Sequence, residues 1–299
     1  MKKFKYLYHL QEYLKKKYSF LGANIPRQYS SLGDDWAEKF NRELEKTLGG
    51  YELIEKAADG YAEFAMDSLI LTAKFQKTRE YDFKTYEEAA NEVYQSFEYM
   101  NSLYLPGILL SHYLWEHHYA QYEFYKNKIV PHLPQEGFFY DVGVGTGFYS
   151  RNILRDSNLK GIGIDMSPHS LAYTRKTIEN FGFSKRYSSL QCNFYEIQSQ
   201  LKNADFICSI EVLEHLEDPQ IMINHLYQAL KPGGYGMISA AVNAPNADHI
   251  YLYRSGEEVA KQITNSGFSI IEETCDKAYQ ARRKNEIVPE NYGALIKKV

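Results

Sequence analysis

The stretch that decides the fold is Phe139-Tyr-Asp-Val-Gly-Val-Gly-Thr-Gly-Phe-Tyr149. It follows an apolar segment with the character of a strand and precedes a segment with the character of a helix. Its glycines, Gly143, Gly145 and Gly147, allow a tight turn and a close approach of a ligand to the backbone. The spacing is GxGxG: the dinucleotide fingerprint would need glycine at Phe148, and no Gly-Lys-Ser/Thr phosphate loop follows. The stretch therefore predicts a ligand-binding β-to-α turn outside these two phosphate-binding classes.

The chain after Pro134 alternates short apolar strands with helices, a pattern typical of βαβ units and a parallel sheet. The seven predicted strands are Phe138–Gly143, Gly161–Asp165, Ser188–Cys192, Asp205–Ile210, Gly234–Ala241, Phe268–Glu273 and Tyr292–Lys297. The predicted helices between them are Tyr149–Arg155, Ser167–Phe181, Pro219–Leu230 and Glu257–Ser266. This half of the chain is therefore predicted to have an α/β fold.

The chain before this region has helical character. Predicted helices run from Asp34 to Leu48, from Tyr51 to Leu71, from Ala89 to Leu103 behind the cap Thr85-Tyr86-Glu87-Glu88, and from Pro106 to about Lys128 as one long helix. Pro131 and Pro134 mark the boundary. We therefore predict a helical cap or lid over residues 1–130 and an α/β domain over residues 131–299.

Composition excludes several classes of protein. The chain has 299 residues, 44% hydrophobic and 24% charged, which is enough to bury a core and argues against disorder. The net charge of −4 argues against broad binding to nucleic acid or to an anionic membrane. Three cysteines without a CxxC pair and the absence of a signal-peptide core favour a cytoplasmic protein.

Two carboxylates indicate the ligand. Gly161-Ile-Gly-Ile-Asp165 reads as a second strand that ends in an acid, and an acid at this position can accept both hydroxyls of a ribose. Asp141 places a second carboxylate inside the glycine loop, where it would repel a pyrophosphate and attract an ammonium group. A ligand with a ribose and an amino group but no phosphate is S-adenosylmethionine.

Two further segments follow later strands. Gln191-Cys-Asn193-Phe194 offers an amide for an adenine edge and an aromatic face, and Ser209-Ile-Glu211-Val-Leu-Glu-His215-Leu follows the fourth strand. Together with the first two signals, these segments resemble the class I S-adenosylmethionine-dependent methyltransferases over roughly residues 135 to 299. The resemblance implies a Rossmann-like seven-stranded sheet with an antiparallel last strand.

The resemblance also implies roles for individual residues. Asp141 and the loop Gly143–Gly147, including Gly145, would hold the methionine part, and Asp165 would hold the ribose. Met166 and Phe194 would flank the adenine, and Asn193, where many members have Asp, would meet its amino group. Ile210 and Glu211 would line the site near the sulfonium.

Glu211, Glu214 and His215 lie at i, i+3 and i+4 and would share a face of a helix. Two carboxylates and an imidazole could bind a divalent ion, and a similar run occurs in metal-using small-RNA 2′-O-methyltransferases as well as in many metal-free members. We predict no metal, because the sequence places no second histidine to complete the site.

Two segments supply candidate catalytic residues. The helix before the first strand carries aromatic and imidazole side chains, of which we expect one or two of Tyr104, Tyr113, His118, Tyr119 and Tyr122 to reach the site and attract a sulfonium by cation–π interaction. The polar loop from Ala241 to Arg254 follows the fifth strand and suits a small polar substrate. The predicted catalytic residues are Tyr104, His118, His215, Asn243 and His249.

These patterns predict a methyltransferase that acts on a small molecule, as a monomer or homodimer, without nucleic-acid or membrane partners. Three alternatives stay open. The first is an enzyme that cyclises S-adenosylmethionine itself to an azetidine and releases methylthioadenosine. The others are an RNA or protein methyltransferase and a non-catalytic module that binds the cofactor.

Overall fold

A single mixed sheet organises the C-terminal half of the chain. The structure is a computed structural model and describes residues 1–85, 87–89, 97–194, 196, 201 and 203–299. The strands are β1 Phe138–Val142, β2 Lys160–Asp165, β3 Tyr187–Gln191, β4 Ala204–Ser209, β5 Leu230–Val242, β6 Phe268–Lys277 and β7 Glu290–Lys298. Their order is β3-β2-β1-β4-β5-β7-β6, and β7 runs antiparallel to both of its neighbours. The predicted seven-stranded Rossmann-like sheet is confirmed.

The helices precede the sheet or cover its faces. They are α1 Lys5–Lys17, α2 Ser19–Gly22, α3 Asn24–Glu43, α4 Tyr51–Thr78, α5 Leu105–Leu114, α6 Glu116–Phe124, α7 Phe148–Asp156, α8 Pro168–Asn180, α9 Pro219–Ala229 and α10 Gly256–Asn265. Wider π-helical turns at Leu44–Leu48, Tyr99–Tyr104 and Tyr125–Ile129 continue α3, precede α5 and follow α6. The four helices predicted between the strands are all present.

In the N-terminal region, one predicted helix and one predicted helix cap are confirmed, and part of another predicted helix lies outside the described residues. Gly33, at φ +72°, interrupts α3, so a helical run begins at Asp34 and ends at Gly49, as predicted. The cap is confirmed in its described residues, because the Glu88 amide donates to Thr85 Oγ1 and the Thr85 amide donates to Glu88 Oε2. Tyr86 and part of the helix predicted from Ala89 to Leu103 lie outside the described residues.

The prediction of one long helix from Pro106 to Lys128 is wrong. The chain leaves the helical conformation at Trp115 (φ −99°, ψ 126°), between α5 and α6. The Trp115 indole N–H donates to Tyr61 Oη at 3.1 Å, and its ring stacks on Phe64 at 5.3 Å. Packing of this large side chain against α4 therefore outweighs the local preference to continue the helix.

The sheet topology places the site. The chain order along the sheet reverses between β1 and β4, so their carboxyl ends flank a crevice, which is where ligands bind in open α/β sheets. One face of the sheet shares a core with the N-terminal helices, in which Trp36, Phe40 and Tyr113 pack with Phe148 and Phe206. The helical region is therefore packed against this face of the sheet.

Among the residues that the structure describes, no helix combines the length and the apolar character that crossing a bilayer requires.

Candidate functional site

A cavity of about 770 Å³ lies over the carboxyl ends of the central strands, between the sheet and the N-terminal helices. This volume is typical of small-molecule sites. The predicted cofactor residues that line it are Asp141, Gly143, Gly145, Asp165, Met166, Asn193, Phe194, Ile210 and Glu211. The predicted catalytic residues that line it are Tyr104, His118, His215 and His249. One cavity thus gathers side chains that the sequence places up to 145 positions apart (from Tyr104 to His249).

The glycine loop forms the floor of this cavity. Gly143 has φ +75°, and a Cβ there would lie 2.3 Å from Val212 Cγ2, so a larger residue does not fit. Gly145 has φ +51°, and a Cβ there would meet nothing within 4 Å, so its backbone faces open space. Gly147, predicted in the cofactor group, does not line the cavity; it is the N-cap of α7, packed against Thr174. Its role is to start the helix.

Asp141 is a buried carboxylate at the end of β1. It is 3% exposed, and its Oδ2 accepts a hydrogen bond of 2.6 Å from Ser150 Oγ. Burial raises the pKa of Asp141 to about 7, although the Ser150 hydrogen bond opposes the shift. An ammonium group in the cavity would relieve the cost of ionising this carboxylate.

Replacing Asp141 with asparagine is expected to stabilise the ligand-free protein more at pH 8 than at pH 5.5. The pKa of Asp141 is about 7 in the folded state against an ordinary value of 3.8, so the stability of the wild type falls as pH rises between these values. Asparagine accepts the same hydrogen bond without titrating. Its advantage should therefore be on the order of 2 kcal/mol larger at pH 8, as measured by calorimetric unfolding. The exposed Asp35→Asn variant is the control, and equal gains at both pH values would contradict a raised pKa.

Asp165 is held rigidly at the end of β2. Its Oδ2 accepts from the Gly145 amide at 3.2 Å, and its Oδ1 accepts from the Ser167 amide at 2.8 Å. Burial raises the pKa of Asp165 to about 6, so the carboxylate is ionised at neutral pH. Hydrogen bonds from the loop and from the start of α8 fix both oxygens at the cavity wall, where neighbouring hydroxyl groups of a ligand could donate to them.

Glu211 begins the segment after β4 in a strained conformation. It has φ +55°, which is uncommon outside glycine and often occurs at functional positions. The Ser239 hydroxyl donates to Glu211 Oε1 at 2.8 Å and accepts from the Glu211 amide at 3.0 Å. Burial raises the pKa of Glu211 to about 7. The strain and the hydrogen bonds hold this carboxyl at the crevice between β1 and β4.

The side of the cavity opposite the sheet is formed in part by α5 and α6, and this helical wall carries imidazole side chains. The Ser111 hydroxyl donates its single hydrogen to the Ile108 carbonyl at 2.9 Å, so it can only accept from His118 Nδ1, also at 2.9 Å. Nδ1 of His118 therefore carries the hydrogen and Nε2 has a lone pair. Burial lowers the pKa of His118 well below its ordinary value, so the ring is neutral and its Nε2 can accept a hydrogen bond from a group in the cavity.

Several residues of this wall were missed by the sequence reasoning. His112 stacks on Phe148 with a centroid distance of 4.1 Å, and burial lowers its pKa to about 3. Gln121 donates from Nε2 to Glu211 Oε1 at 3.4 Å. Both line the cavity, as does Trp115, whereas Tyr113, Tyr119 and Tyr122 do not. The regular spacing of three residues between His112, Trp115 and His118 was the sequence signal that could have predicted these cavity residues.

The prediction that Asn243 is catalytic is not supported, because Asn243 does not line the cavity. Its amide Nδ2 donates to the Arg254 carbonyl at 2.8 Å, and its backbone N–H donates to the Tyr253 carbonyl at 2.9 Å. With φ +50°, Asn243 supplies the left-handed turn that ends β5, a position asparagine tolerates. Its role is to shape the loop that carries His249.

That loop brings His249 to the residues after β4. His249 Nε2 lies 4.0 Å and His215 Nε2 lies 3.9 Å from Glu214 Oε1. The prediction of no metal rested on the lack of a second histidine, and the fold supplies one. Burial raises the pKa of Glu214 well above its usual range and lowers the pKa of His249 to about 4. Tyr104 borders this group through a hydrogen bond of 2.6 Å from its hydroxyl to Asp248 Oδ2.

Comparison with known proteins identifies the class. A family model described as a methyltransferase domain matches residues 138–288, half of the chain. The chain therefore belongs to this family, the class I S-adenosylmethionine-dependent methyltransferases, whose cofactor is S-adenosylmethionine.

Individual relatives share the domain rather than the whole chain. The mitochondrial ubiquinone biosynthesis O-methyltransferase of Dictyostelium discoideum is 32% identical over 149 residues, 46% of this chain and 45% of that protein. The chain thus spans about half the length of this relative. Among solved structures, an O-methyltransferase family protein from Burkholderia thailandensis aligns over 82% of this chain and 71% of its own, with TM-score 0.54 and 14% identity. The [4+2]-cyclase SpnF aligns over 60% of this chain and 80% of its own, with TM-score 0.50 and 15% identity. These likenesses establish the fold.

Proposed function

We propose that the protein transfers the methyl group of S-adenosylmethionine to a hydroxyl or amine of a small molecule. The observation that carries this proposal is the pair of carboxylates at the ends of adjacent strands, Asp141 buried and Asp165 half-buried, in one cavity with a wall of imidazole and aromatic rings. When bound, the cofactor supplies a methyl group whose bond to sulfur breaks as a bond to the acceptor forms, leaving S-adenosylhomocysteine.

The sheet side of the cavity is proposed to hold the cofactor. Asp141 attracts the ammonium group, and Asp165 accepts hydrogen bonds from the ribose hydroxyls. Both interactions involve an ionised carboxylate, and hydrogen bonds of this kind contribute about 1.5–3 kcal/mol each. Met166 and Phe194 supply apolar surface for the adenine beside Asn193, and the backbone of Gly145 leaves room for close approach.

The helical side of the cavity is proposed to act on the acceptor. His118, neutral and with its Nε2 lone pair available, takes the proton that the acceptor group loses. The N-terminal helices serve as a lid that excludes water, and catalysis arises mainly from holding the reacting groups in line in a dry cavity. A small-molecule acceptor fits a cavity of about 770 Å³ that the cofactor shares.

Mass spectrometry tests the proposal. The protein is incubated with S-adenosylmethionine carrying a labelled methyl group and with a metabolite extract. S-adenosylhomocysteine and a labelled product are expected, and His118→Ala should slow turnover with little change in cofactor affinity. Release of methylthioadenosine with a cyclic amino acid would instead establish the intramolecular cyclase. Cofactor binding without any turnover would establish a non-catalytic module, and labelling confined to RNA or protein would refute a small-molecule acceptor.

A further inference from the structure

A cluster of potential metal ligands occupies the end of the cavity beneath the loop that follows β5. Glu214, His215 and His249 each place a ligand atom within 4.8 Å of the other two. Two atoms bound to one ion at about 2.0–2.2 Å lie at most about 4.4 Å apart. The separations of 3.9 and 4.0 Å from Glu214 Oε1 to the two Nε2 atoms are within this limit. One ion could therefore contact all three residues after a small adjustment of the rings.

The Glu214 carboxylate is buried without a hydrogen bond from any residue that the structure describes. Its side chain is 0% exposed, and neither oxygen has a hydrogen-bond partner within the part of the chain that the structure describes. Burying an unpaired carboxylate is costly, because nothing replaces the water it loses. Glu214 lines the cavity together with both histidines. A cation at their centre would compensate this group.

Both histidines present the nitrogen that a metal requires. His215 Nδ1 lies 3.0 Å from the Asp248 carbonyl, and His249 Nδ1 lies 2.6 Å from the Ala244 carbonyl. A carbonyl only accepts hydrogen bonds, so in each neutral ring Nδ1 carries the hydrogen and Nε2 keeps a lone pair. Metal-binding histidines commonly donate their second N–H to a backbone carbonyl or carboxylate in this way. The two rings are therefore oriented as ligands before any ion arrives.

We propose that Glu214, His215 and His249 bind one divalent transition-metal ion whose open coordination positions face the cavity. Two imidazoles and one carboxylate suit Mn²⁺, Fe²⁺, Co²⁺ or Zn²⁺ better than Ca²⁺ or Mg²⁺, which prefer oxygen ligands. An acceptor hydroxyl would bind at an open position, which narrows the substrate class to molecules with an oxygen donor. The binding of an acceptor hydroxyl to the ion rests on the proposed function, whereas the binding of the ion itself does not.

Direct titration of the full-length protein tests the ion. After removal of metals by a chelator, Mn²⁺ is titrated by calorimetry in the absence of S-adenosylmethionine, and about one equivalent should bind. Spin-echo spectra of the bound Mn²⁺ should show coupling to imidazole nitrogen. His249→Ala and Glu214→Gln should each weaken binding at least about tenfold, whereas His132→Ala, remote from the cavity, should not. The site would be overturned if the wild type took up no Mn²⁺ at millimolar concentration or if its spectra showed no nitrogen coupling. It would also be overturned if both His249→Ala and Glu214→Gln bound Mn²⁺ as tightly as the wild type.

A second measurement separates the ion from the reaction. Methyl transfer that stops on chelation and returns with Mn²⁺ is expected if the acceptor binds to the ion. Methyl transfer that is indifferent to the chelator, in a protein that binds Mn²⁺, would overturn the acceptor role alone. If S-adenosylmethionine fails to bind at all, the proposed function fails, and the titration still decides whether the ion site exists.

Discussion

Replacing Asp165 with asparagine should weaken the binding of S-adenosylmethionine about 10- to 100-fold at pH 7.5. Asp165 is ionised at this pH because its raised pKa is still only about 6. The substitution removes the charge that strengthens hydrogen bonds from the ribose, worth about 1.5–3 kcal/mol. It keeps the volume of the side chain and one oxygen that can accept from the Gly145 or Ser167 amide. Isothermal titration of the cofactor into each variant measures the effect.

Two comparisons make this result specific. Asp35→Asn alters a carboxylate on α3 that pairs with Lys39 on the exposed surface, and it should leave cofactor affinity unchanged. The melting temperature of Asp165→Asn should stay close to that of the wild type, which separates a binding defect from unfolding. Unaltered affinity in Asp165→Asn would remove this residue from the proposed cofactor site.

Replacing Glu43 with alanine should lower the free energy of unfolding by about 3–5 kcal/mol. Glu43, at the end of α3, forms an ion pair with Arg151 of α7, and the two residues are 2% and 3% exposed. The Arg151 guanidinium also contacts the Phe148 and Phe181 rings, 5.0 and 4.5 Å from their centroids. Removal of Glu43 leaves this charge buried without its partner, and breaking a buried pair costs about this much. Chemical denaturation monitored by circular dichroism measures the loss.

A double variant distinguishes an unpaired charge from a general packing defect. Glu43→Ala combined with Arg151→Met leaves neither charge buried and should be more stable than Glu43→Ala alone. Glu52→Ala breaks an exposed pair with Lys56 and should cost less than about 0.5 kcal/mol. A loss below about 1 kcal/mol in Glu43→Ala would contradict this account. The pair matters for function because it fastens the N-terminal helices to the sheet domain.

The sheet was predictable because its signals are local. Most of the strands contain a short apolar run bounded by turn residues, and Asp141 and Asp165 belong to the strands that position them. Parallel strands expose their carboxyl ends at one edge, so the gathering of these carboxylates follows from the order of elements. The glycine loop was predictable for the same reason, although its third glycine, Gly147, serves the start of α7 rather than the cavity.

The remaining features depend on contacts between distant parts of the chain. Neither glycine nor proline marks the break at Trp115, which arises from packing against Tyr61 and Phe64. His249 reaches Glu214 because the loop after β5 folds back, with the Ile250 amide donating to the Glu214 carbonyl at 2.9 Å. No periodic pattern encodes such a return. The lid and the assembly as a monomer or homodimer stay predictions, as does the cytoplasmic location.

The position of β7 between β5 and β6 affects the order in which the chain can fold during synthesis. Within the described residues β6 pairs with β7 alone, and β7 pairs in turn with β5. Residues 268–277 therefore have no place to dock until residues 290–298 have left the ribosome. Until then β5 has one unpaired edge, a state prone to aggregation, so slow synthesis of this stretch should make the protein dependent on chaperones.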